Sequence, residues 1–188
     1  MIAISTSLMH NDPNHLNFGI RYGYIEQLDD ELLRISKESF DALSFNCYAL
    51  SPDHEKMNHA LEISGLPMII GEYHFGTVDR GLAQSLWQVN SQKERGDAFQ
   101  YYTENAFAHR GLIGTGWFRW IDQNINGRTD GENYNCGFID VTDRPYPYMV
   151  DAAIEAAKSL YEIHSGTKTP FHQAPNAVGH SPIPDLWE

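Results

Sequence analysis

Residues 67–76 read Pro67-Met68-Ile69-Ile70-Gly71-Glu72-Tyr73-His74-Phe75-Gly76. Four apolar residues come first, then a glycine, one carboxylate and a polar-aromatic exit. A buried strand that delivers an acid to the end of a sheet has this pattern. An acid at a strand end can also be a solvated or ion-paired side chain. The apolar run before Glu72 and the glycines around it favour catalysis. Glu72 is therefore the candidate catalytic carboxylate, and the rest of the chain is read as the frame that presents it.

Working outward, strands and helices alternate. Residues 16–22 predict a strand, with Leu16, Phe18 and Ile20 on one face and Asn17, Gly19 and Arg21 on the other. Residues 29–40 carry apolar positions at helical spacing, with Asp29 or Asp30 as cap. Residues 41–48 predict the second strand, with Ser44, Asn46 and Tyr48 sharing a face. Ser51-Pro52-Asp53 opens a helix that Gly65 ends. Residues 67–75 are the third strand, and a helix follows over 91–110. Residues 112–122 are the fourth strand, with Gly116, Phe118, Trp120 and Asp122 on one face. A long Asn-, Gly- and Asp-rich loop over 123–148 marks function, and a last helix spans 151–163.

Such alternation implies parallel strands with helices outside. Four units make half of a (βα)8 barrel, which takes about 250 residues when whole. The alternative is an open doubly wound sheet. The polar face of residues 44–48 and the gathering of polar and aromatic groups at the C-terminal ends of all four strands favour the barrel. The expected fold class is α/β, the last four βα units of a TIM barrel. Residues 1–164 form that half barrel, and 165–188 are an extended or disordered tail.

Bulk composition narrows the function. With 41% hydrophobic and 20% charged residues, the 188-residue chain is long and apolar enough for one folded domain. A net charge of −12 argues against sequence-independent nucleic-acid binding, which needs clustered Lys and Arg. No window is apolar for the length of a membrane span, so no membrane partner is expected, and residues 1–8 do not read as a signal peptide. Cys47 and Cys136 form no metal or disulfide pattern, so two thiols are the reading.

Several side chains qualify for the site. Glu72 and His74 lie two apart on one strand and point the same way. They could ligate a metal only with a distant third histidine, so no metal and no cofactor is expected. Tyr48 is placed to orient the carboxylate, although Asn46 and Tyr48 could equally satisfy backbone groups. Trp117 and Trp120 fall on opposite faces of their strand. Trp120, nearer the loops, is the candidate sugar platform, weighed evenly against a core role. Asp122, Asp130, Glu132, Asp140 and Asp143 lack Glu72's apolar lead-in and read mainly as loop acids.

These residues resemble a known family. The runs 71–76, Asp79-Arg80-Gly81, 116–120 with Asp122-Gln123, and Gly127-Arg128 with 130–134 are similar to the C-terminal half of the β-agarases of glycoside hydrolase family 50. Residues 12–16, 19–21, 41–48 and 140–148 extend the resemblance to roughly residues 10–163. It implies a (βα)8 barrel that hydrolyses β-1,4 bonds of agarose-type galactan with retention, with Glu72 as nucleophile. In that mechanism Asn46, His74, Arg119 or Glu132 are expected to bind hydroxyls, and Trp120 to stack under a sugar ring. The resemblance also implies a general acid/base on a strand preceding residue 1, so the expectation is a glycosidase fragment without its proton donor. The family is usually secreted or periplasmic. The first and last strands would expose unpaired edges, which implies pairing with another chain. A non-catalytic sugar-binding half barrel is the alternative of a different class.

Overall fold

The computed structural model describes residues 2–179. The chain divides into two units.

The first unit comprises Met1–Cys47, Pro52–Glu72 and His109–Gly116. Helix α1, Ile2–Asn11, stands where no element is expected from the sequence. Strand β1 is only Arg21–Tyr22, shorter than the expected 16–22. The reason is local. Gly19 turns left-handed at φ +67° beneath the Phe40 ring, where a Cβ would lie 2.4 Å from ring carbons. Asn17 meanwhile exchanges hydrogen bonds with Asp41, whose carboxylate accepts from Asn17 N–H at 2.6 Å. Helix α2, Asp30–Ser39, is capped by Asp29, whose carboxylate accepts from Leu32 N–H at 2.8 Å. Strand β2, Leu43–Asn46, follows. Helix α3, His54–Ser64, starts on Asp53 and stops on left-handed Gly65, as its sequence signals predict.

Strand β3, Met68–Tyr73, pairs parallel to β2, which pairs parallel to β1. Near-continuous apolar burial is what a parallel strand requires. Leu33, Leu43, Phe45, Met68, Ile70 and Leu112 are fully buried here, each worth roughly 1.5–3 kcal/mol relative to exposure. The register of β2 and β3 slips once. Phe45 faces Ile70 and the next residue, Asn46, faces Glu72, so Gly71 is an extra residue in β3.

The second unit comprises Tyr48–Ser51, Tyr73–Ala108 and Trp117–Glu188. Strand β4, Trp87–Gln88, lies in the connection after β3. Helix α4, Gln92–Phe107, is capped by Ser91. Strand β5, Leu112–Trp117, belongs through Gly116 to the first unit, where it completes the four-stranded order β1-β2-β3-β5. It ends five residues before the expected 122, because the chain leaves the sheet to bond elsewhere. Trp120 C=O accepts from Phe138 and Ile139 N–H, and Asp122 N–H donates to Ile139. Phe118, Trp120 and Asp122 therefore do not share a strand face.

Helix α5, Pro147–His164, begins four residues earlier than the expected 151, with Pro147 at its first turn. It packs on α4 at Gly96, where a Cβ would lie 2.5 Å from the Tyr148 carbonyl oxygen. Residues 165–177 then run without helix or strand. Phe171 N–H donates to Glu104 at 2.7 Å, and Asn105 Nδ2 donates to Phe171 C=O at 2.9 Å. Strand β6, Val178–Gly179, pairs antiparallel with β4. The remainder of the expected tail, 180–188, lies outside the described residues. No helix among the described residues is long and apolar enough to cross a membrane.

Candidate active site

Glu72 stands one residue from the end of β3, its side chain 18% exposed. Each carboxylate oxygen has a donor from a different strand. Arg21 Nη1 lies 2.7 Å from Oε1, and Asn46 Nδ2 donates to Oε2 at 3.2 Å. The bulge at Gly71 brings Glu72 opposite Asn46, and β-bulges commonly re-aim a side chain in this way. Tyr24 lies close enough for the Glu72 charge to add to the upward shift that burial, first, and Glu26 impose on its hydroxyl. Two glycines let backbones approach. A Cβ on Gly116 would lie 2.6 Å from the Gly71 carbonyl oxygen, and one on Gly71 would lie 2.6 Å from Arg21 Cδ.

Arg21 was the residue without an expected role. It was visible only as a polar residue ending the first strand. The available signal was the glycine directly before the acid, which clears space for a neighbour's side chain. Asn46, expected to bind substrate hydroxyls, donates its Nδ2 to the carboxylate.

The other candidates belong to the second unit. Tyr48 is half-buried. Its carbonyl accepts from Trp87 Nε1 at 2.8 Å, and its ring meets His74 edge-on, with centroids 4.9 Å apart. His74 is 1% exposed, and its Nε2 accepts from Leu86 N–H at 3.2 Å. Burial pushes its imidazole down to about 3, with a small further push from the Arg95 charge, against a partial offset from the Phe118 backbone. His74 is thus a neutral residue that holds the 76–90 connection, with almost no surface for a sugar hydroxyl.

Trp120 is 68% exposed and stacks on Phe138, with centroids 5.9 Å apart and planes 23° apart. Trp117 goes inward: its Nε1 donates to Cys136 C=O at 2.7 Å, and Tyr73, Phe99 and Phe138 surround its ring. Arg119 is half-buried. Glu132 accepts from Gln123 Nε2 at 2.7 Å and pairs with Arg128 Nη1 at 3.0 Å.

The long loop is organised by a second carboxylate, Asp122, 5% exposed. It accepts from Gly137 N–H at 2.7 Å, Asn135 Nδ2 at 2.8 Å and Tyr146 Oη at 2.6 Å. Arg95, fully buried on α4, donates to the carbonyls of Asn135 and Gly137 at 2.8 and 2.9 Å and lies over the Tyr146 ring. Burial lowers the Arg95 guanidinium below its usual range, and the Asp122 charge works against that shift. Burial, then the hydrogen bond to Asp122, raises the Tyr146 hydroxyl well above its usual range. Neither cysteine is in a disulfide, and burial pushes the Cys136 thiol up to about 12. Among the described residues no group of three or more His, Cys, Asp or Glu side chains is arranged to hold a metal ion.

No protein-family model matches the chain. β-Agarase A of Vibrio sp. (strain JT0107) is 36% identical over 166 residues, covering 85% of this chain and 16% of that protein. β-Agarase B of the same strain is 34% identical over 156 residues, covering 79% of this chain and 16% of that protein. The solved structure of PfGH50B superposes with a TM-score of 0.80 at 36% identity, over 86% of this chain and 24% of that one. The chain thus spans 16% of the length of the curated relatives it matches. Sequence and fold agree over similar shares of the chain, and the chain is a homologue of one segment of the β-agarases of glycoside hydrolase family 50.

Proposed function

We propose that Glu72 is the nucleophile of a retaining hydrolysis of β-1,4 bonds in agarose-type galactan. In this reading the chain is the last four βα units of a (βα)8 barrel. The observation that carries it is the Glu72 carboxylate: at the C-terminal end of a parallel strand, reached by solvent, with Arg21 at Oε1 and Asn46 at Oε2. Active sites of such barrels lie at the C-terminal ends of strands. The names of the homologues supply the substrate class.

In the first step a Glu72 oxygen bonds to the anomeric carbon as the bond to the leaving oxygen breaks. In the second, water displaces Glu72 from the same carbon. The leaving oxygen needs a proton, from a second carboxyl about 5–5.5 Å from the nucleophile. Asp122 is closed in by three donors, and Glu132 is engaged by Gln123 and Arg128. We place the proton donor outside residues 1–188. Trp120, exposed and backed by Phe138, is the proposed sugar platform, with Tyr48, Arg119 and Glu132 as hydroxyl-binding groups. The edge strands β1 and β5 are the proposed surfaces for pairing with another polypeptide, which size-exclusion chromatography would register as a mass above 21.4 kDa.

An aryl β-galactoside with a dinitrophenolate leaving group tests the reading, because that group departs without a proton. The chain then gains the mass of one galactosyl residue at Glu72. Added azide releases galactosyl azide of β configuration. Glu72→Gln lowers adduct formation by at least about 10³-fold. An adduct formed equally by Glu72→Gln overturns the assignment. Binding of neoagaro-oligosaccharides with no adduct at all leaves a non-catalytic sugar-binding half barrel.

A further inference from the structure

We infer that Arg21 is the positioning residue of Glu72, and that Gly71 gives it the room to act. The inference rests on the reading of Glu72 as the nucleophile.

Arg21 belongs to β1 and Glu72 to β3, with β2 between them. Adjacent strands lie roughly 4.8 Å apart, so the side chain must cross a whole strand. Two small residues leave the path open. The residue beside Arg21 in register is Ser44. Gly71 then leaves open the space that Arg21 Cδ fills, since a Cβ there would lie 2.6 Å from it and 3.3 Å from Asn46 Oδ1. Arg21 and Asn46 hold opposite oxygens of one carboxylate, which fixes its plane as a single donor cannot.

Magnitudes separate a positioning role from a structural one. The Arg21 side chain is 53% exposed, and an ion pair that open contributes little to stability. Misplacing a reacting group by about 1 Å costs on the order of 10²-fold in rate. The pair therefore contributes little to folding, and its effect falls on the geometry of attack.

Arg21→Met and Gly71→Ala are compared with the unmodified chain for galactosyl-adduct formation from the activated galactoside. The limiting rate is expected to fall about 10²-fold for Arg21→Met, with the half-saturating concentration within about twofold and the urea midpoint essentially unchanged. Gly71→Ala lowers the same rate while the guanidinium is still present. Arg21→Lys, which keeps the charge but not the planar fork, recovers part of it. An Arg21→Met limiting rate equal to the unmodified one, or a loss confined to half-saturation, overturns the proposal. Side-chain ¹⁵N NMR gives a readout independent of turnover: Glu72→Gln shifts the Arg21 guanidinium signals. If those signals do not move, the proposal is overturned. If they move but the unmodified chain forms no adduct, the reading of Glu72 as nucleophile falls while its placement by Arg21 stands.

Discussion

Glu72 and Asp122 are both carboxylates that answer to an arginine, and they are built to opposite ends. Asp122 is 5% exposed, takes three hydrogen bonds and has a fully buried arginine nearby. Its donors come from residues 135–146, so it closes a long loop on itself. Glu72 is reached by solvent, and its arginine is half in water. One carboxylate is enclosed by the loop that it organises. The other is oriented and left accessible. Carboxylates at strand ends or in loops acquire roles from how many groups enclose them, more than from how close an arginine lies.

The sharpest way to break this contrast is to replace each acid. Asp122→Ala strips partners from Gly137 N–H, Asn135 Nδ2 and Tyr146 Oη and removes the charge facing Arg95. Losing one partner of a buried charge costs roughly 3–5 kcal/mol, which urea unfolding would read directly. Glu72→Gln should abolish galactosyl transfer while unfolding within about 1 kcal/mol of the unmodified chain. Equal stability losses at both sites would erase the distinction.

His74 gives an intermediate effect. Its imidazole is pushed down to about 3 in the folded chain, against 6.5 when unfolded. Between those values the unfolded chain binds the additional proton. Stability is therefore fully present above about pH 6.5 and falls as pH drops, by about 1.4 kcal/mol per unit for this group. His74→Gln should flatten the dependence of the urea midpoint on pH over that window, so that the difference between the two chains changes with pH. The smallest step is Asp53, an exposed carboxylate that caps α3 by accepting from Glu55 and Lys56 N–H at 3.0 and 3.2 Å. Asp53→Ala should cost about 1 kcal/mol in thermal or urea unfolding.

Capping chemistry and apolar periodicity made α2 and α3 legible from sequence, because Asp29, Asp53 and Gly65 act within one turn of where they stand. The carboxylate-bearing strand was legible for the same reason: its apolar run is local. What failed was strict alternation. It carried β5 through Trp120 and Asp122, although those residues bond to 135–146, partners no periodicity reveals. Trp120, read as the tryptophan nearer the loops, is exposed. Arg21 and Arg95 were passed over because an arginine's role depends on which carboxylate or carbonyl the fold brings to it, across two strands in one case and about forty residues in the other. His74 looked like a partner of Glu72 by spacing alone, and burial made it a fixed element of the 76–90 connection.

Gly71 has one more consequence. Along a strand the side of the sheet that a residue faces is a matter of odd or even count, and the extra residue at Gly71 changes that parity just before Glu72. Were the ladder to run on without that slip, Asn46 would face Gly71, and Glu72 would fall on the side of Ile70, away from Asn46. The smallest residue in β3 thus decides on which side of the sheet its acid is presented.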